Sequence, residues 1–216
     1  VMEVDVMTIY PREFYLKQLR PFYDSDLIKV ITGIRRCGKS CLMQSVALEL
    51  KSKGVAEKDI VFLNLDKRGY KNIVTPDALE KAIDAKIVDE DFKYIFIDEI
   101  QNVEGFEPVI NAYREEGNCS IFITGSNSYL LSGELVTKLT GRYVQIDMHT
   151  LSFDEFLSMK RFLGIELHDN RIEFDEYLTR GGFPKVLEFS DTDVKFKYIS
   201  DIVAQHHGEV GRRRAS

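Results

Sequence analysis

The stretch Leu27-Ile-Lys-Val-Ile-Thr32 followed by Gly33-Ile-Arg-Arg-Cys-Gly38-Lys39-Ser40 decides the fold. The first six residues read as a short apolar strand. The next eight match Gly-x-x-x-x-Gly-Lys-Ser/Thr in full. Lys39–Lys53 then reads as a helix, with Leu42, Met43, Val46 and Leu50 at helical spacing and Gly54 stopping it. The chemistry accounts for the spacing. Glycines let the backbone curl until its N–H groups converge on phosphate oxygens, and the helix N-terminus adds a partial positive charge. Gly33, Ile34, Arg35, Arg36, Cys37, Gly38, Lys39, Ser40 and Cys41 are therefore the candidate phosphate-binding residues. Lys39 is expected to reach the β- and γ-phosphates, and the Ser40 hydroxyl to ligate Mg²⁺. Cys37 reads as a small loop residue and the Cys41 thiol as small and buried. Arg35 and Arg36 stay open between phosphate, a neighbouring subunit and solvent.

Outward from this loop, short apolar runs alternate with helical patterns. Ile60–Leu65, Lys93–Asp98, Cys119–Thr124 and Tyr143–Met148 read as further strands. Pro76–Ile87, with Thr75 as N-cap, and Phe106–Glu116, ended by Gly117, read as helices. Short apolar strands alternating with helices predict an α/β fold, a parallel sheet with helices on both faces. After Thr150 the pattern changes to helices alone, over Phe153–Phe162, Phe174–Arg180 and Val194–His206. Residues 1–150 are thus expected to form the core and 151–216 a helical appendage.

Composition bounds the function. The chain has 216 residues, 44% hydrophobic and 30% charged, which suits one ordinary domain or one domain and part of another. Its net charge of −6 argues against a surface that coats nucleic acid or anionic membrane. No apolar run is long enough to span a membrane, and the acidic start VMEVDVMTIY is no secretory signal. Three cysteines, an odd number, fit reduced thiols in a cytoplasmic protein. The four histidines lack the spacing of a zinc site. The opening Val and the closing GRRRAS are set aside from the fold reading.

Tyr94-Ile-Phe-Ile-Asp98-Glu99 ends an apolar strand on two carboxylates. Ligands of open α/β sheets sit at the carboxyl ends of the strands. Asp98 is placed to hold Mg²⁺, which takes oxygen ligands, and Glu99 to polarise an attacking water. At the tip of the next strand, Thr124, Ser126 and Asn127 are candidates to orient that water. A helix N-cap is the competing role for this group.

GIRRCGKS, YIFIDEIQ, ITGSNSYLLSGE, LTGRY, LSFDEF and GGFP follow one another in order. Together they resemble the AAA+-type ATPases of bacteria and archaea whose AAA domain precedes a C-terminal domain of unknown function. The resemblance runs from Tyr10 to about residue 200. It implies an additional-strand P-loop NTPase core with sheet order five-one-four-three-two, ATP as ligand, Mg²⁺ as cofactor, and hydrolysis to ADP and phosphate. It also implies that Gly182, Phe183 and Pro184 of a helical lid cover the adenine, the alternative being a plain helix–helix turn. Tyr10, Pro11 and Arg12 match the family's stretch before the first strand, beside the base pocket. Arg142 is the candidate arginine finger, acting from a neighbouring subunit or in cis, with a surface ion pair as its alternative. Members of that family continue well beyond this length, so the chain is expected to be a fragment with a partial lid.

Two functions compete. One is a Mg²⁺-dependent ATPase whose hydrolysis drives a conformational change, with a protein partner or further copies of itself. The other is a signalling switch that hydrolyses slowly and acts as an interaction module. A small-molecule kinase is disfavoured, because a Glu beside the metal-holding Asp points to water as the nucleophile.

Overall fold

In the computed structural model, residues 9–125, 139 and 141–213 are described, with side chains at positions up to 204 except 203. The chain divides into two compact units, Val1–Ile34 with Lys39–Met148, and Arg35–Gly38 with His149–Ser216.

The first unit is built on five strands: β1 (Ile28–Gly33), β2 (Ile60–Asn64), β3 (Lys93–Asp98), β4 (Cys119–Thr124) and β5 (Tyr143–Met148). Every pairing is parallel and the order is β2-β3-β4-β1-β5, the order that the family resemblance implied. β1, β3 and β4 are buried along their whole length. Their near-continuous apolar runs are what a sheet covered on both faces requires. Phe62, Phe96 and Phe122 stack across three neighbouring strands, with ring centroids 5.5 Å and 4.6 Å apart. Phe96 and Phe122 are fully buried, and each such side chain contributes about 1.5–3 kcal/mol.

The helices of this unit are α1 (Glu13–Leu19), α2 (Lys39–Ser52), α3 (Pro76–Asp84) and α4 (Glu107–Glu116). Thr75 caps α3 by accepting the Ala78 N–H at 3.3 Å. Gly117 ends α4 in the left-handed conformation, where a β-carbon is disfavoured. α1 is a helix that the sequence pattern does not reveal. It has seven residues and no side-chain cap, too short for periodicity to show, and it is held by burial of Leu16 and Leu19 and by the Arg20 fork on Glu13 and Glu49.

One charge lies inside the sheet. Lys29 of β1 is fully buried; its Nζ donates to Ser120 Oγ at 2.6 Å and to the Ser25 carbonyl at 3.0 Å, and sits 4.6 Å over the Phe122 ring. Burial pushes its pKa down to about 8.

The second unit carries α5 (Phe153–Phe162), α6 (Asn170–Arg180) and α7 (Thr192–Arg213). α6 starts four residues before the expected point because the Asp169 carboxylate caps it, accepting from Arg171 N–H at 2.9 Å. A capping box of Ser152 and Glu155 opens α5. The Lys160 ammonium is buried between Glu173 and Glu176. Gly182 touches Leu151 so closely that a β-carbon there would overlap the Leu151 carbonyl and lie 3.1 Å from its nitrogen. The Leu151 N–H donates to the Gly182 carbonyl at 2.7 Å. No helix among the described residues is long and apolar enough to cross a membrane.

Candidate functional site

The loop after β1 turns on three residues of positive φ: Gly33 at 150°, Arg36 at 67° and Gly38 at 109°. Glycine tolerates such angles, whereas at Arg36 they cost roughly 1–2 kcal/mol. Lys39, the first residue of α2, is 4% exposed, and its Nζ donates to the carbonyls of Gly33 (3.1 Å) and Ile34 (3.3 Å). These neutral acceptors hold the ammonium over the loop's start without neutralising it. Ser40 is half-buried on the first turn of the helix. Arg35 and Arg36 are exposed, and within the second unit the Arg36 guanidinium lies 5.0 Å over the Tyr198 ring. Cys37 is buried, as a small loop residue can be. Cys41 departs from expectation: its thiol is exposed, because α2 buries Leu42, Met43, Val46 and Leu50 and position 41 falls outside that face.

At the same edge of the sheet, β3 ends on Asp98 and β4 on Thr124. Asp98 is 1% exposed. Its Oδ1 accepts from Thr124 Oγ1 at 2.6 Å and its Oδ2 from Asn64 Nδ2 at 2.7 Å. Asn64 ends β2 and stands opposite Asp98 in the register. Thr124 Oγ1 also accepts the Glu99 N–H at 3.0 Å. One hydroxyl thereby fixes both the carboxylate and the start of the following turn. Glu99 is left-handed (φ 59°, ψ 50°), and its carboxylate accepts from Gln101 Nε2. Because β4 separates β3 from β1, the Asp98 and phosphate-loop strands lie about 10 Å apart.

The donor set fits a hard cation. Ser40 and Asp98 offer oxygen alone, and each Asp98 oxygen has one protein donor, leaving further lone pairs.

Asn64 and Gln101 were not singled out from sequence. The signal for Asn64 is a polar residue closing the run Ile60-Val-Phe-Leu-Asn64; for Gln101 it is an amide two residues after the carboxylate pair. Asn127 and Ser126 lie outside the described residues. Pro184 opens a 3₁₀ turn, Pro184–Glu188, in the second unit. Tyr10 is half-buried and Arg12 buried, with its guanidinium 4.9 Å over the Tyr15 ring.

Arg142 is at the other end of the sheet. Its carbonyl accepts from Ile28 N–H at 2.9 Å, at the point where β1 begins, and Tyr143 pairs with Ile28. Gly33, where the phosphate loop starts, pairs with Met148, five residues along β5, or about 16 Å away. The expectation that it acts in cis does not fit this placement: the arginine lies at the far end of the β1–β5 pair from its own loop. Its side chain is 44% exposed and pairs with Glu115 at 3.1 Å.

Residues 25–157 match the AAA domain family. An uncharacterised protein of Haemophilus influenzae is 41% identical over 194 residues, covering 88% of this chain and 48% of that protein. A second, of Methanocaldococcus jannaschii, is 31% identical over 182 residues, 81% of this chain and 39% of that one. The chain thus spans less than half the length of either relative. A Walker-type ATPase of Pyrococcus abyssi superposes with a TM-score of 0.65 over 95% of this chain and 76% of its own, at 18% identity. AMPPCP-bound DnaA of Aquifex aeolicus gives 0.53 over 88% and 60%, also at 18% identity. At such identities the likeness shows the fold alone.

Proposed function

This chain belongs to the AAA domain family, and we propose that it binds ATP with Mg²⁺ and hydrolyses it to ADP and phosphate, using the cycle to change conformation. The observation that carries this reading is the Thr124 hydroxyl, bonded at once to Asp98 and to the backbone of Glu99 at the strand ends beside the phosphate loop. That arrangement supports distinct roles for two adjacent carboxylates, Asp98 fixed between the strand ends and Glu99 carried on the turn that follows. AMPPCP, a nucleotide analogue, occupies the DnaA relative in fold, which supports a nucleotide as the ligand here.

In this reading the loop N–H groups and Lys39 hold the β- and γ-phosphates, replacing the Gly33 and Ile34 carbonyls as partners of the ammonium. Ser40 and Asp98 hold the cation, which when bound neutralises charge developing on the phosphates. Glu99 takes a proton from the attacking water, while Thr124 and Asn127 keep the water and the carboxylates in register. Pro184 covers the base, residues 151–216 act as a lid on the 1–150 core, and Arg142 serves the site of an adjoining copy.

The test uses the chain as it is. Titration with a fluorescent ATP analogue and a phosphate-release assay are run on wild type, Lys39→Ala and Glu99→Gln. Lys39→Ala is expected to abolish binding, and Glu99→Gln to keep binding while slowing release by about 10²-fold or more. Failure of the wild type to bind ATP overturns the proposal. Tight binding with negligible release favours the slow switch instead.

A further inference from the structure

Glu99 leaves β3 in a left-handed conformation that a residue with a β-carbon rarely adopts. Two residues on, Gln101 Nε2 donates to Glu99 Oε2. A carboxylate only accepts, so the nitrogen end of the amide must face it. Gln101 Oε1 then points away, and it is buried without a hydrogen-bond partner among the described residues. A strained backbone and an unpaired buried acceptor thus accompany one hydrogen bond.

The turn does not need that bond to form. Ile100 is fully buried and anchors it. Asn102 N–H donates to the Glu99 carbonyl at 3.1 Å, Val103 N–H to the Ile100 carbonyl at 3.0 Å, and Asn102 Nδ2 to Asp66 Oδ1 at 3.1 Å. What Gln101 adds is control of the Glu99 carboxylate, which has three rotatable bonds and no other hydrogen-bond donor among the described residues.

We propose that Gln101 is a positioning residue for hydrolysis. Its amide holds the Glu99 carboxylate in one orientation, with the other oxygen aimed at the water that attacks the γ-phosphorus. The proposal rests on Glu99 as the base. In the step it serves, a water O–P bond forms, the bond from the γ-phosphorus to the bridging oxygen breaks, and ADP leaves with that electron pair. The water's proton passes through Glu99 to solvent. A base held within a few tenths of an ångström of its working position avoids the rotamer search that a free carboxylate would make at each turnover.

The experiment compares wild type, Gln101→Ala, Glu99→Gln and the double variant. Single-turnover phosphate release is measured with protein in excess, and nucleotide affinity with a fluorescent ATP analogue. Gln101→Ala is expected to slow release by about 10-fold or more while affinity stays within about two-fold. In the Glu99→Gln background the same substitution is expected to change nothing further, since Gln101 acts through Glu99 alone. An equal loss in both backgrounds overturns the proposal, because Gln101 then serves the fold. So does a Gln101→Ala rate equal to or above that of wild type when Glu99→Gln is slow, and this leaves Glu99 as the base. A Glu99→Gln chain at full rate, or a wild type with no release at saturating nucleotide, removes the base and the proposal with it.

Discussion

Thr124 donates its hydroxyl proton to Asp98 Oδ1 at 2.6 Å, joining the carboxyl ends of β4 and β3. The same oxygen accepts the Glu99 N–H, so a single side chain fixes the Asp98 carboxylate and the backbone of Glu99 beside it. Thr124→Val keeps the shape and removes both bonds. An unpaired buried polar group costs about 1–3 kcal/mol. The variant should melt at lower temperature and release phosphate about 10-fold more slowly or worse, whereas Thr124→Ser should restore both properties. Wild-type turnover in the Val variant would separate Thr124 from the chemistry.

Arg142 lies just before β5, at the end of the sheet opposite the strand ends that carry Asp98, so as an arginine finger it would serve the site of another copy. Mixing separates the cases. Chains with Arg142→Ala keep an intact site, and chains with Glu99→Gln keep an intact arginine. Each alone should be slow, and an equimolar mixture should regain a substantial share of the wild-type rate, read by phosphate release across protein concentrations. ATP affinity should be unchanged in both. No gain on mixing would leave Arg142 as the partner of Glu115 that it is at the surface.

The parallel sheet was legible because its central strands, β1, β3 and β4, are buried along their whole length and read as short apolar runs. The residues that end those strands were legible for the same reason, since a carboxylate or hydroxyl closing such a run stands out. What sequence withheld depends on register and fine geometry. Asn64 joins the site only because the register sets it opposite Asp98 on the neighbouring strand. The edge on which Arg142 lies follows only from its neighbour pairing with Ile28. The exposure of Cys41 turns on which stripe of α2 faces inward, and the helix pattern around it is apolar on more than one side. Gln101 is one amide among many until its bond to Glu99 is seen.

Gly182 has a packing role independent of any nucleotide. With the Leu151 carbonyl where its β-carbon would be, Gly182→Ala must push the 181–184 turn from the start of α5 or break the 2.7 Å bond between them. Overpacking of this kind typically costs about 1–3 kcal/mol. Limited proteolysis should cut the variant within residues 149–216 sooner than wild type. Equal resistance would mean that the turn relaxes at little cost.

Lys29 should leave a mark on stability against pH. Its folded pKa lies near 8, below the usual 10.5, because burial disfavours the charge. Below pH 8 both folded and unfolded chains carry the proton, and the folded state bears the full penalty. As pH rises from 8 towards 10.5, the folded chain releases the proton while the unfolded chain keeps it. The unfolded state then binds more protons, and stability rises by at most about 1.4 kcal/mol per pH unit. Cys119 works the other way: burial raises its thiol from the usual 9.0 to about 11, so above pH 9 the unfolded chain loses that proton first and stability falls. Between pH 8 and 9 the Lys29 contribution precedes the opposing one from Cys119, with Lys195, also shifted down by burial, adding to the rise. Urea midpoints for wild type should rise across this window, and Lys29→Met, of similar length and without a charge, should rise less. The same slope in both would show that the ammonium stays protonated inside the sheet.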